Sequence, residues 1–223
     1  MTDEPLVPGP LYGLRTWAIV SQDGRGERLA GPHQAVEWPP GDEWFQARCP
    51  SGRHRAPERD CNCGVHAWHP TRANARRVLA SRFELAGVVE ARGAIEVHEN
   101  GFRAEEARPH ALVATRNRSD RLVRRLAASY HAQVVEVRRP EDLLAWCRER
   151  GLGLDERVVA ELLGPERLQK SARRRKIARR NNVLRIAAVL AISALMLGFG
   201  SQLLHDPKGP HTLYGRTGKI VVP

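Results

Sequence analysis

An uncharged apolar segment near the C-terminus restricts this chain more than any other feature. Residues 186–204, IAAVLAISALMLGFGSQLL, form a run of nineteen residues without a charge. As an α-helix rising 1.5 Å per residue, the run would span roughly 28 Å, close to the ~30 Å hydrocarbon thickness of a bilayer. It has no polar face, which argues against an amphipathic surface helix, and buried core helices of this length are uncommon. We therefore predict a transmembrane helix at 186–204.

The charges that flank this segment predict its orientation. Residues 166–185, predicted as a basic juxtamembrane helix, precede it, and the tail 205–223 carries only three basic residues and one acidic residue. The positive-inside rule then predicts a single-pass protein of the cell membrane, with its N-terminus in the cytoplasm and a short extracytoplasmic tail. Basic side chains next to a span attract anionic inner-leaflet lipid by about 1 kcal/mol each. The lipid-binding residues predicted here are Lys170, Arg173, Arg174, Arg175, Lys176, Arg179 and Arg180.

Small residues recur four apart inside the predicted span. Ala187 and Ala191 form one such pair, and Ala194 and Gly198 form another. This spacing lets two membrane helices approach closely, which would give a homodimer through the span. Alanine-rich filler without a partner is the other interpretation of the same pattern.

The positive charge of the chain is concentrated at one end. The net charge of +11 would usually suggest a polyanionic partner. Residues 1–165, however, hold 24 basic and 23 acidic residues, whereas residues 166–223 hold 12 basic and 2 acidic residues. This distribution favours lipid over nucleic acid. A membrane-tethered nucleic-acid-binding protein is an alternative, and it would also use the arginines at Arg116, Arg118, Arg121, Arg124 and Arg125.

A short loop concentrates the side chains that bind metals. Residues 49–64, CPSGRHRAPERDCNCG, contain three of the four cysteines and one histidine. In the cytoplasm a stable disulfide is disfavoured, and three thiolates with one imidazole match a closed tetrahedral Zn²⁺ site. We predict a structural zinc knuckle at 49–69. Its ligands are Cys49, His54, Cys61 and Cys63, in the spacing C-x4-H-x6-C-x-C.

Other roles for this loop stay open at the level of sequence. His66 or His69 could replace His54 as the imidazole ligand. A zinc-dependent hydrolase is the second alternative, because Glu58 and Asp60 could supply a general base. The chain has no HExxH, no deaminase signature, no GxxxxGK[ST] phosphate loop and no GxGxxG. The sequence therefore favours a protein that is not an enzyme, with no catalytic residue assigned.

The sequence predicts a cytoplasmic α+β domain at 11–165, which follows an N-terminal extension at 1–10. Its first half is β-rich and zinc-stabilised, and its second half is a small βαβ-like helical part. Strands are predicted at 11–20, within 82–107, at 110–115 and at 132–139, and helices at 119–131, 140–151 and 154–164. Turns are predicted at 91–93 and 98–101, with a positive φ at Gly101. Cys147 is predicted to be a core residue.

Three stretches carry a resemblance to known proteins. They are LYGLRTW at 11–17, CPSGRHRAPERDCNCGVHA at 49–67 and GAIEVHENGFRAEEARPHAL at 93–112. Over residues 8–135 they resemble an uncharacterised domain family of actinobacterial and actinophage proteins, with the signature GLRxW, CxxxxHxxxxxxCxCGxxA and GFRAExA. The resemblance implies a domain, and a phage or prophage origin would make interference with host envelope functions plausible. It implies no established activity.

Two further expectations concern residues within this resemblance. The family often has an aromatic residue at the position of Arg92, and this chain departs from that pattern. Arg103 and Glu105 are expected to form an internal salt bridge that holds the strands, or else a ligand clamp. Taken together, the sequence predicts a membrane-anchored, zinc-stabilised module that binds an unknown protein partner.

Overall fold

The computed structural model describes residues 10–22, 26–32, 36–81, 84–115, 120–165 and 192–193. The chain divides into two compact units, Met1–Ser171 and Ala172–Pro223, and the fold below is that of the first. No helix within the described residues is long and apolar enough to cross a bilayer. Several predicted features lie outside those residues: the extension at 1–9, the basic helix at 166–185, the span at 186–204 apart from residues 192 and 193, and the tail at 205–223.

The described part of the first unit is a mixed α+β structure, as the sequence predicts. Its strands are β1 (Leu11–Gln22), β2 (Gly26–Ala30), β3 (Phe45–Gln46), β4 (Val65–Trp68), β5 (Glu84–His98), β6 (Gly101–Ala114) and β7 (Gln133–Glu136). Its helices are α1 (Arg72–Ala80), α2 (Asp120–Ser129) and α3 (Pro140–Glu149). A further helical segment at 156–165 borders residues outside the description.

All seven of these strands join one sheet. The long strands β1, β5 and β6 are antiparallel neighbours, in that order. Strand β4 hydrogen-bonds to both β1 and β6, so β1, β5, β6 and β4 close a ring. Strand β7 pairs in parallel with β6, which gives the βαβ-like unit expected around α2. This unit extends the same sheet, so the two halves predicted from the sequence share one sheet.

Apolar side chains cover both faces of the sheet. Since successive residues of a strand point to opposite faces, Leu14 and Trp17 of β1 belong to different clusters. The cluster of Trp17 includes Leu126 of α2, and the cluster of Leu14 includes Leu143 of α3. Full burial of side chains of this size stabilises a fold by about 1.5–3 kcal/mol each. Cys147 is 2% exposed within the second cluster, which confirms its predicted core position.

Strand β5 corrects the turn predicted at 91–93. The strand continues through this point as a bulge, with a register shift between Arg92 and Ile95. Gly93 absorbs the irregularity with a φ of +76°. In the sequence, a glycine that follows a strand-like segment is compatible with either a turn or a bulge. The structure shows a bulge, because β5 pairs with β6 on both sides of Gly93.

Strand β6 corrects two further predictions. The strand predicted at 110–115 is the end of β6 rather than a separate element. Gly101 follows the predicted turn but lacks a positive φ. Glycine is required there because a Cβ would lie 2.0 Å from the carbonyl oxygen of Ala67 in β4.

The sequence analysis missed helix α1. The helix begins after Thr71, whose hydroxyl accepts a hydrogen bond from the backbone N–H of Asn74 at 3.3 Å. A threonine before a run of helix formers is a recognisable start signal. Helix α3 is confirmed, with Pro140 at its first position and Gly151 beyond its end at a φ of +62°. The first residue of the helix predicted at 119–131 lies outside the described residues, and α2 begins at Asp120.

Candidate metal centre

The predicted ligands lie in the loop between β3 and β4, which folds back on itself at its base. Arg48 and Arg55 form an isolated antiparallel bridge across it. Inside the bridge, the backbone N–H of Gly52 donates to the carbonyl of Cys49 at 2.9 Å. Gly64 ends the loop with a φ of +114°, a conformation that other residues rarely adopt. These tight turns bring distant ligands together.

The four predicted ligand atoms converge on one point. All lie within 4.8 Å of one another, so Cys49, His54, Cys61 and Cys63 are close enough to bind a metal ion. The Sγ atoms of Cys49 and Cys61 are 3.8 Å apart, and His54 Nε2 lies 3.3 Å from Cys63 Sγ. Tetrahedral zinc with its usual bond lengths places two sulfurs about 3.8 Å apart, and a sulfur and a nitrogen about 3.6 Å apart. The measured spacing therefore suits zinc.

The sulfur atoms are too far apart for a disulfide. A disulfide bond is about 2.05 Å long, well below the 3.8 Å between the Sγ atoms of Cys49 and Cys61. All four cysteines of the chain are free thiols in the structure.

The two neighbouring histidines are not part of the ligand group. His69 is 3% exposed, and its Nε2 donates to the carbonyl of His98 at 2.9 Å. Burial lowers the pKa of His69, which keeps its ring neutral. His66 is exposed and donates through Nε2 to the carbonyl of Asn62 at 3.1 Å. Of the three histidines considered, His54 is the one beside the sulfurs.

Two of the ligand thiols have different proton affinities. The Ser51 hydroxyl lies 3.0 Å from the sulfur of Cys49 and lowers the pKa of that thiol to about 7. Burial raises the pKa of the Cys63 thiol. Cys49 is therefore partly thiolate at neutral pH, whereas Cys63 would lose its proton when a metal binds.

Arg103 of β6 fastens the second half of the loop to the sheet. This arginine is 4% exposed, and its guanidinium donates to the carbonyls of Glu58 at 3.0 Å and Cys63 at 3.1 Å. It also donates to the carbonyl of Cys61 and pairs with the carboxylate of Glu96, its cross-strand neighbour in β5. One planar guanidinium thus contacts two of the ligand residues and one strand.

Glu105, two residues further along β6, fastens the first half of the loop. Its buried carboxylate pairs with Arg55 and accepts the backbone N–H of Ala94 at 3.1 Å. The salt bridge expected between Arg103 and Glu105 is therefore wrong, because each side chain pairs with a different partner. Alternation along a strand explains why both reach the loop, since residues two apart share a face. The alternation could have predicted that Arg103 and Glu105 share a face of β6. Their partners could not be predicted from it, because these depend on the tertiary fold.

The candidate base residues lie apart from the ligand atoms. The group of ligand atoms within 4.8 Å includes neither Glu58 nor Asp60. The carboxylate of Glu58 instead accepts the backbone N–H of Arg59 at 2.9 Å. The geometry brings no carboxylate into the candidate metal site.

The arginine cluster on α2 is largely paired on the surface. Arg124 pairs with Glu136 and Arg125 pairs with Glu27, both at 2.9 Å and both exposed. Arg116 and Arg118 lie outside the described residues. Both pairs are exposed to solvent, where such pairs typically contribute less than about 1 kcal/mol.

Comparison with known proteins adds no relative to this picture. No protein-family model, no curated protein and no solved structure matches the chain. The resemblance based on 11–17, 49–67 and 93–112 stays a prediction.

Proposed function

We propose that residues 11–165 form a zinc-stabilised interaction module held at the cytoplasmic face of the cell membrane by a span at 186–204. The observation that carries the proposal is the convergence of Cys49, His54, Cys61 and Cys63 within 4.8 Å. Four protein donors complete the tetrahedron that structural zinc adopts, whereas catalytic zinc usually keeps one position for water. This donor set supports a structural role rather than the hydrolase alternative.

Zinc would stabilise the loop more than the sheet. The apolar cluster of the loop consists only of Cys49, Ala56 and Cys63 as buried members. The sheet has two larger clusters of its own, on either face. Because the clusters share no buried member, although Ala47 packs against both the loop cluster and one sheet cluster, zinc would order residues 48–64 and leave most of the sheet core unchanged. The ordered loop would then present a fixed surface to a partner protein.

The membrane part of the proposal rests on the sequence alone. The basic segment at 170–180 would bind anionic lipid, and the span would place the module beside membrane partners. A protease added to intact cells should cleave at most the tail at 205–223. Removal of the N-terminal domain from outside would show the opposite orientation and contradict the proposal.

Matched cysteine variants test the proposed function. The full chain, purified in detergent, should contain one zinc per molecule, and Cys61→Ser should lose it. Cys147→Ala removes a buried cysteine outside the loop and should keep the zinc. Proteins captured from membranes by the wild type and by Cys147→Ala, but not by Cys61→Ser, would support a zinc-dependent interaction. Equal capture by all three would contradict it, as would binding to DNA with a steep salt dependence.

A further inference from the structure

A cleft opens between the metal-binding loop and the sheet. Its volume is about 550 Å³. One wall is residues 59–62 of the loop, and the other is formed by β4 and the turn between β5 and β6. Cys61 lines the cleft and is also a candidate metal ligand. The wall is therefore built by the same segment that the metal would order.

The charged groups of the cleft favour an anion on one side. Arg59 lines the cleft, and its guanidinium makes no ion pair with any residue that the structure describes. His66 and His98 belong to the facing wall, where Nε2 of His66 donates to the carbonyl of Asn62 and Nε2 of His98 accepts from Nε of Arg103 at 3.2 Å. Arg103 also lines the cleft, but Glu96 and the loop carbonyls occupy its donors. Arg59 is thus the guanidinium with capacity to hold a ligand.

The remaining lining residues favour a peptide over a small inorganic anion. The carboxylate of Asp60 lies next to Arg59 and would repel a doubly charged phosphate. The same carboxylate would accept a backbone N–H of a peptide. Trp68, which is half-buried, provides apolar surface for the methylene groups of a side chain. A guanidinium holds a carboxylate through two parallel hydrogen bonds, which suits a glutamate or aspartate side chain.

We propose that this cleft binds an acidic peptide segment of a partner protein, with a carboxylate on Arg59, and that the bound metal holds the cleft open for it. The inference rests on the proposed function and names the chemistry of the partner. Arg59 and Asp60 lie between the candidate ligands His54 and Cys61, so their positions depend on the loop being folded. Loss of the metal would disorder one wall of the cleft.

Peptide titration of the full chain in detergent micelles tests the proposal. The probes are two blocked peptides, acetyl-AEEA-amide and acetyl-AKKA-amide, and inorganic phosphate. The readout is the change in the NMR signals of the Trp68 indole and the His98 ring. The acidic peptide should give saturable shifts that the basic peptide does not give. Arg59→Ala should weaken its binding about tenfold, the expected loss for a hydrogen-bonded charge. Arg77→Ala, which removes an exposed arginine of α1, should leave the binding unchanged.

Each result decides one part of the account. Saturation by the acidic peptide that disappears on chelation supports the proposal, and saturation that survives chelation overturns the role of the metal. No saturable shift, or equal shifts in Arg59→Ala, overturns the binding site. Saturation by phosphate alone overturns the assignment to a carboxylate. Protein that binds one zinc but no peptide refutes this inference only, whereas protein without zinc refutes the proposed function.

Discussion

Replacing Arg103 by alanine should release the metal-binding loop from the sheet. The arginine side chain is 5% exposed and its partner Glu96 is 19% exposed, so water screens this pair weakly. The substitution would leave the Glu96 carboxylate with only the imidazole of His98, 3.8 Å away, and would remove donors from the carbonyls of Glu58 and Cys63. No other side chain described here holds the second half of the loop in the same way.

The cost follows from the burial of the pair. Removing one partner of a buried ion pair typically destabilises a protein by about 3–5 kcal/mol. If the loop opens, its carbonyl groups form hydrogen bonds with water. The free energy of the hydrogen bonds that they lose to Arg103 therefore adds only in part to the cost of breaking the ion pair. We expect a decrease of about 3–5 kcal/mol in the free energy of unfolding, a large share of the ~5–15 kcal/mol typical of a domain. The free energy of unfolding of Arg103→Lys should lie between those of the wild type and Arg103→Ala, because the lysine ammonium keeps the charge but lacks the planar, multiply donating guanidinium.

The assay is urea unfolding of the zinc-loaded protein, with zinc affinity measured in parallel. Arg124→Ala is the matched control, since Arg124 and Glu136 are 57% and 72% exposed and their pair should contribute less than about 1 kcal/mol. If Arg103→Ala does not fold, Arg103→Lys supplies the measurement. Equal losses for Arg103→Ala and Arg124→Ala, with unchanged zinc affinity, would refute the role assigned to Arg103.

Two further predictions concern glycine packing and thiol reactivity. Gly101→Ala should lower stability by at least about 2 kcal/mol, because its Cβ would lie 2.0 Å from a backbone oxygen of β4, whereas Gly31→Ala, with 3.9 Å available, should change it little; equal melting temperatures would contradict this. In metal-free protein in which Cys49 keeps its contact with Ser51, alkylation of Cys49 should reach half its maximal rate near pH 7, where its pKa lies, and Ser51→Ala should move that midpoint to higher pH; an ordinary thiol midpoint in both proteins would show that the contact is lost with the metal. Cys147, whose pKa burial raises to about 11, should stay unmodified at pH 7, and mass spectrometry showing equal rates for Cys49 and Cys147 would refute the assignment.

The ligand set could be predicted from sequence because it is local. Cys49, His54, Cys61 and Cys63 lie within fifteen residues of one another, and one glycine and two prolines between them favour turns. The structure brings these four side chains together and leaves His66 outside the group. The spacing of the residues along the sequence could not show whether His54 or His66 is the histidine ligand. His66 belongs to strand β4, and its position in the sheet keeps it outside the ligand group.

The partners of the loop could not be predicted because they depend on strand register. Arg103 and Glu105 are two residues apart, which suggested a pair, but their position on one face of β6 turns both toward the loop. Which loop atoms they meet follows from the pairing of β6 with β4 and β5. The bulge at Gly93 also depends on strand register. Between Arg92 and Ile95, β5 has more residues than the segment of β6 that it pairs with, and the bulge accommodates the extra residue.

X-ray absorption at the zinc edge tests the central claim most directly. The full chain, purified without added metal, should carry one zinc with three sulfur neighbours at about 2.3 Å and one nitrogen neighbour at about 2.0 Å. His54→Ala should reduce the nitrogen contribution and keep the three sulfurs. A full chain that carries no zinc, or a zinc shell dominated by oxygen, would contradict the account.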